Sequence, residues 1–213
     1  MNIPADPNPD AGADATALER AKRLLADNRE GSIAFGEHVI PFRCIRTPKG
    51  GHLLASVPVA LLMADEMIVF LPEEREDALQ LLLSAEEVQE SALTDRYHAY
   101  FPEPEHVRWA ELWIDAGRLC EFVFDGDALM TPNPLADEEA ALLRAINADR
   151  ETLKRACGEC CSTEIAEPIA VGVDELGIDI RAHFGIVRLP FGEPVEDADA
   201  ARARIEQLLK GSP

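Results

Sequence analysis

The sequence predicts an α+β fold in two parts, a strand-rich domain and then a small helix–three-stranded antiparallel sheet–helix domain. Three observations point to it. Short apolar runs separated by turn residues recur between His38 and Phe124, the pattern of an antiparallel sheet. The stretch Met130-Thr131-Pro132-Asn133-Pro134 follows, and its two prolines exclude both helix and strand. Beyond it, helical spacing flanks three short strands between Pro168 and Phe191, turned at Asp174-Glu175-Leu176-Gly177 and at Phe184-Gly185.

Residues 1–13 read as a disordered leader, because Pro4, Pro7 and Pro9 with interleaved Asp bury nothing. Asp14 can cap a helix to Asn28, with Leu18, Ala21, Leu24 and Leu25 on one face and Gly31 ending it. His38–Arg46 and His52–Ala60 read as one hairpin closed by Pro48-Lys49-Gly50-Gly51, and Met67–Leu71 as a third strand. Glu74–Val88 reads as a helix with Ala78, Leu79, Leu82 and Leu83 inward. Tyr97–Pro104 is mixed, and Arg108–Ile114 and Arg118–Phe124 complete the sheet, so the first domain spans residues 14–130. The second spans 135–211: Asp137 caps a helix carrying Leu142, Leu143, Ile146 and Leu153, and Asp197 caps a last helix with Ala201, Ile205 and Leu208 inward.

The 213 residues carry 40 acidic and 20 basic side chains, a net charge of −20 that repels phosphate backbones and anionic lipid. Nucleic acid and membrane surfaces are therefore poor partners. No apolar run is long enough to span a bilayer, and the N-terminus lacks the basic start and apolar core of a signal peptide. A cytoplasmic protein whose five cysteines stay reduced is the expectation. The sequence has no G-x-S-x-G, P-loop, G-x-G-x-x-G or H-E-x-x-H pattern, so hydrolase, nucleotidase and metalloprotease readings lack support.

Several stretches resemble the haem-utilisation branch of the pyridoxamine-phosphate-oxidase-like split barrels. Gly50-Gly51-His52-Leu53-Leu54-Ala55-Ser56-Val57-Pro58 is similar to that family's second strand. Arg96-Tyr97-His98-Ala99-Tyr100-Phe101-Pro102, followed by Trp109 to Asp115, is similar to its R-Y-x-x-x-x-P helix and the strand after it. Ala145-Ile146-Asn147-Ala148-Asp149-Arg150 resembles the H-M-N-A-D-H opening of the appended domain. The later signatures of that domain resemble Val173 to Asp179 and Val187-Arg188-Leu189-Pro190-Phe191. The resemblance implies a split β-barrel that pairs as a homodimer and builds ligand sites for FMN or haem between protomers.

Carried onto this chain, it implies that Arg43, Arg46, Ser56 and Arg75 contact the cofactor while His98 or His106 lines the pocket. Arg75 falls where the family holds the FMN phosphate, yet Glu73, Glu74, Glu76 and Asp77 surround it and oppose a dianion. Those same carboxylates suit a helix N-terminus. The H-M-N-A-D-H histidines are replaced, and no histidine follows His183 to serve as a C-terminal axial ligand.

Arg43, Arg46 and Lys49 read either as a flavin contact or as a soluble hairpin end. Cys157-Gly158-Glu159-Cys160-Cys161 has the spacing for zinc or redox chemistry, or is a helix end with Gly158 in the left-handed region and buried thiols. His98 and His106 with Tyr97, Tyr100, Phe101, Trp109 and Trp113 read as a pocket for a planar ligand or as a dimer contact. His183 reads as solvated, and His38 and His52 as a cross-strand pair. Two functions follow. One is an FMN- or haem-type binding barrel with possible flavin-linked redox activity; the other is a cofactor-free barrel that binds a protein partner in tetrapyrrole metabolism.

Overall fold

The computed structural model describes residues 9–160 and 165–210. By its internal contacts the chain divides into two units, residues 1–45, 52–89 and 105–131 against 46–51, 90–104 and 132–213. The sequence reading placed 46–51 and 90–104 in the barrel; the contacts place them in the second unit.

The first unit is built on period-two alternation. Its elements are α1 (Pro9–Asp27), β1 (Glu30–Phe35), β2 (His38–Arg43), β3 (Ile45–Arg46), β4 (Leu53–Val57), α2 (Val59–Leu62), β5 (Met67–Leu71), β6 (Leu79–Val88), β7 (Arg108–Leu119), β8 (Phe122–Asp125) and α4 (Gly126–Leu129). The strands form an antiparallel sheet in the order β2-β1-β5-β6-β7-β4-β3, with β8 on β7. This sheet is a curled half-barrel, and its curl brings β2 against β4. Leu53, Val69, Leu71, Leu79, Leu81 and Leu112 fill its core, closed by Ala17, Ala21 and Leu25 of α1.

Several expected elements change. Helix α1 begins at Pro9, inside the expected leader; proline suits a first helical turn, where its missing N–H costs nothing. Gly31 does not end the helix region but lies in β1, paired with Phe42. His38 faces Phe35 rather than His52, because β2 pairs with β1 while β4 pairs with β7 and β3. The expected helix Glu74–Val88 is instead strand β6. Leu79, Leu81 and Leu83 point into the core and Leu82 is 37% exposed, so the apolar spacing has period two. Arg108–Leu119 is one continuous strand.

The second unit holds α3 (Ala92–Tyr100), α5 (Glu139–Asn147), α6 (Arg150–Cys160), β9 (Ile169–Asp174), β10 (Gly177–Ala182), β11 (Gly185–Pro190) and α7 (Ala198–Lys210). The three strands form the expected antiparallel meander, order β11-β10-β9. The expected Asp137 helix is two helices, α5 and α6, the second capped by Asp149 through the Thr152 amide and hydroxyl at 3.0 and 2.8 Å. Those bonds hold the Asp149 carboxyl below the usual carboxylate range. Asp197 caps α7 as expected, accepting from Asp199 and Ala200. Ser91 accepts from the Leu93 amide, and Thr94 Oγ1 accepts from the Ser91 amide, so a short polar box starts α3.

Side chains cover the outer edge of β9. Asn147 both donates to the Ala170 carbonyl and accepts from its amide, at 2.8 and 2.9 Å. Glu139 Oε1 accepts from the Val173 amide at 3.0 Å and Asn133 donates to its carbonyl at 2.8 Å.

A buried charge network ties α3 to this sheet. Arg96 donates to both oxygens of Glu139 at 2.7 Å, and Tyr100 donates to Asp179 Oδ2 at 3.0 Å. Arg188 donates to Asp179 at 2.7 Å and also to Asp174. Burial disfavours charge on Arg96, but Tyr100, Glu139 and Asp179 outweigh it, so its pKa stands above the ordinary arginine value. Gly172 makes room for this arrangement, since a Cβ there would lie 1.7 Å from the Tyr100 hydroxyl.

Among the described residues, no helix is long and apolar enough to cross a membrane.

Two expectations test these assignments by denaturant unfolding. Leu81→Ala should cost about 2–5 kcal/mol and Leu82→Ala below about 1 kcal/mol; equal costs would contradict the strand. Gly172→Ala should cost about 1–3 kcal/mol in the native chain and much less in a Tyr100→Ala background. Additive costs would separate the two positions.

Candidate functional site

The barrel sheet has a second face, opposite its core, where β4, β6 and β7 lie side by side. Register pairs Ser56 with Trp109, Leu54 with Glu111 and Ser84 with Trp113, so these side chains share that face. His52, just before β4, completes the row beside Trp113. Its ring lies 4.2 Å from the Trp113 ring at 20°, a parallel stack. His52 Nε2 is 3.3 Å from Glu111 Oε2, an ion-pair distance without hydrogen-bond alignment. His52 is 8% exposed and Trp113 40%, so the imidazole is packed beneath an indole that still meets solvent. Along the same face, Ser84 donates to Asp115 Oδ2 at 2.6 Å.

This arrangement offers a flat aromatic platform backed by an imidazole with a carboxylate nearby. Such a surface can stack a planar molecule or seat an apolar side chain of another protein.

The six candidate residues lie on several different elements. Ser56 lies in the row just described, buried opposite Trp109. Arg43, on β2, is held by Glu30 at 3.7 Å and Glu105 at 3.1 Å. Arg75, in the β5–β6 connection, is held by Glu73 at 3.5 Å and Asp77 at 3.3 Å. With β6 a strand, Glu73, Glu74 and Glu76 have no helix to cap, and Glu73 pairs with Arg75 instead. His106 is half-buried in the loop before β7. Arg46 ends β3 just where the chain passes from the first unit to the second, and His98 belongs to the second unit; His98 Nδ1 lies 3.3 Å from the Pro102 carbonyl.

The aromatic group of the sequence therefore divides. Trp109 and Trp113 belong to the barrel sheet, while Tyr97, Tyr100 and Phe101 lie in or just after α3 in the other unit. The pairing of His52 with Trp113 was missed, because only the β4–β7 register brings them together.

Arg75 already has acidic company in its own loop. Its guanidinium is already engaged by two carboxylates of its own loop, and a dianion would have to displace both.

Helix α6 runs through Gly158 to Cys160, so Gly158 is not a left-handed helix end. Cys157 is buried; the Cys160 side chain and Cys161 lie outside the described residues. Among the described residues, no group of three or more His, Cys, Asp and Glu is placed to hold a metal ion.

A solved structure similar to this chain is the protein Atu2129 from Agrobacterium tumefaciens strain C58, whose function is unknown. The TM-score is 0.69 at 17% identity, over 98% of this chain and 100% of that one. The likeness shows the fold alone. A second solved structure, at TM-score 0.45 and 16% identity over 55% of this chain, carries no argument. No family model and no curated protein matches.

Cys44 provides a check on the barrel interior. Burial pushes its thiol up to about 12, with a smaller opposing effect of Arg29. Its protonated form contributes stability below the ordinary thiol pKa, and that contribution is lost as pH rises toward the shifted value. Alkylation at about pH 8 followed by peptide mapping should leave Cys44 unmodified in native protein and modified once denatured. Native labelling at Cys44 would contradict its burial.

Proposed function

We propose that this chain is a split-barrel protein that works by binding a protein partner, without a flavin anchored where the family resemblance would put one. The observation that carries this reading is the engagement of Arg75 by Glu73 and Asp77 at 3.5 and 3.3 Å. A phosphate-holding arginine needs its fork turned to the ligand, and this one is turned to its own loop. Support comes from the outer sheet face, where Trp113 and Leu82 stay 40% and 37% exposed beside polar Ser84 and Asp115. A half-exposed indole ringed by polar groups is the pattern of a protein contact. The family resemblance suggests a homodimer, with a partner in tetrapyrrole metabolism.

A second reading has its own observation. The parallel His52–Trp113 stack leaves the indole accessible, which suits a flat conjugated ligand such as haem.

Titration of purified protein with FMN and with haem, followed by absorbance and thermal unfolding, separates the readings. Under the first, neither ligand produces a bound spectrum or raises the melting temperature, because binding to the native state alone must raise it. A Soret band present in the native protein and lost in Trp113→Ala selects the second. Yellow protein whose FMN affinity disappears in Arg75→Glu overturns both and restores the arginine as phosphate anchor.

A further inference from the structure

A cavity of about 440 Å³ lies within the second unit, apart from the barrel face and independent of its proposed function. It is a groove broadly open to solvent, between the last turn of α5, the edge strand β9 and the neighbouring β10. Leu143, Ile169 and Val171 supply an apolar lining, and Arg144 and Arg181 reach it from two different elements. Asn147 also lines the cavity, but both ends of its amide are committed to Ala170. That commitment pins α5 against β9 and keeps the lining in place.

The two arginines are the informative part. The chain carries twice as many acidic as basic residues, and many of its described arginines are paired with carboxylates. Arg144 and Arg181 have no carboxylate partner among the described residues, and no carboxylate lines the cavity. Arg181 donates one Nη1 bond to the Ala99 carbonyl, the last turn of α3, which steadies its guanidinium without neutralising it. An arginine fork has five N–H donors, so most of its capacity for an anion remains.

We propose that this cavity binds an amphipathic carboxylate, its anionic end on Arg144 and Arg181 and its apolar body against Leu143, Ile169 and Val171. The carboxylate matches the planar guanidinium fork, and the apolar body accounts for a lining that a plain inorganic anion would not need. The chain's negative field opposes any anion at long range, so affinity must come from these local contacts and not from steering.

Isothermal titration of the full chain with phenylbutyrate tests this, with phenylbutanamide as the uncharged isostere and inorganic phosphate as the anion without an apolar body. Phenylbutyrate should bind at one site, with the amide and phosphate each weaker by about tenfold or more. Arg144→Gln should weaken phenylbutyrate by about tenfold while leaving the unliganded melting temperature unchanged, since Arg144 is an exposed helix residue. Arg144→Lys should recover part of the loss, because it restores charge but not the fork. The proposal is overturned by no phenylbutyrate binding, by equal binding of the amide, by phosphate binding as tightly, or by unchanged affinity in Arg144→Gln.

Discussion

The second unit depends on a single demand of electrostatics: charges taken out of water must meet opposite charges in good geometry. Arg188, between Asp174 and Asp179, and Arg96, against Glu139, are the places where this demand is met. Asp179 also accepts from Tyr100, so helix α3 and strand β11 share one carboxylate, carried by β10. Glu139 serves Arg96 and the Val173 amide at once, which links α3, α5 and β9. Taking away one member would strand a charge in the interior, a far larger penalty than the small net value of any one of these bonds. That is why a helix distant in sequence belongs with the small meander, and why glycine stands at position 172.

Much of the fold is legible in the residues. The proline linker, the three strands after Pro168, strand β5 and the Asp197 cap are visible because each rests on local chemistry. What was misread depends on partners far along the chain. Leu79, Leu82 and Leu83 satisfy a helical spacing as well as Leu79, Leu81 and Leu83 satisfy a strand, and only the neighbours β5 and β7 decide between them. No separate strand is assigned over β1 because Gly31 reads as a helix stop, and its hydrogen bonds come from β2 and β5. The hairpin expected between His38–Arg46 and His52–Ala60 was half present: Ile45–Arg46 does lie beside β4, while the longer part pairs elsewhere.

The candidate site was less legible for the same reason. Ser56, Trp109 and Trp113 could be named one by one, but their common face follows from a register that spacing does not encode. The acidic crowding of Arg75 could be read directly, and the geometry gives it form as two ion pairs. The stretch Asn147-Ala148-Asp149 serves architecture in this structure. Asn147 covers a strand edge and Asp149 starts a helix, and neither task calls for a histidine beside it.

The covered margin of β9 also limits how this domain can meet other molecules. With the amide and carbonyl of Ala170 and of Val173 already engaged by side chains, a foreign chain finds little there to zip onto. Recognition by strand donation is closed on that side. Whatever associates with β9 must read grooves and side-chain chemistry, and the three-stranded sheet cannot grow from this border into a fibre.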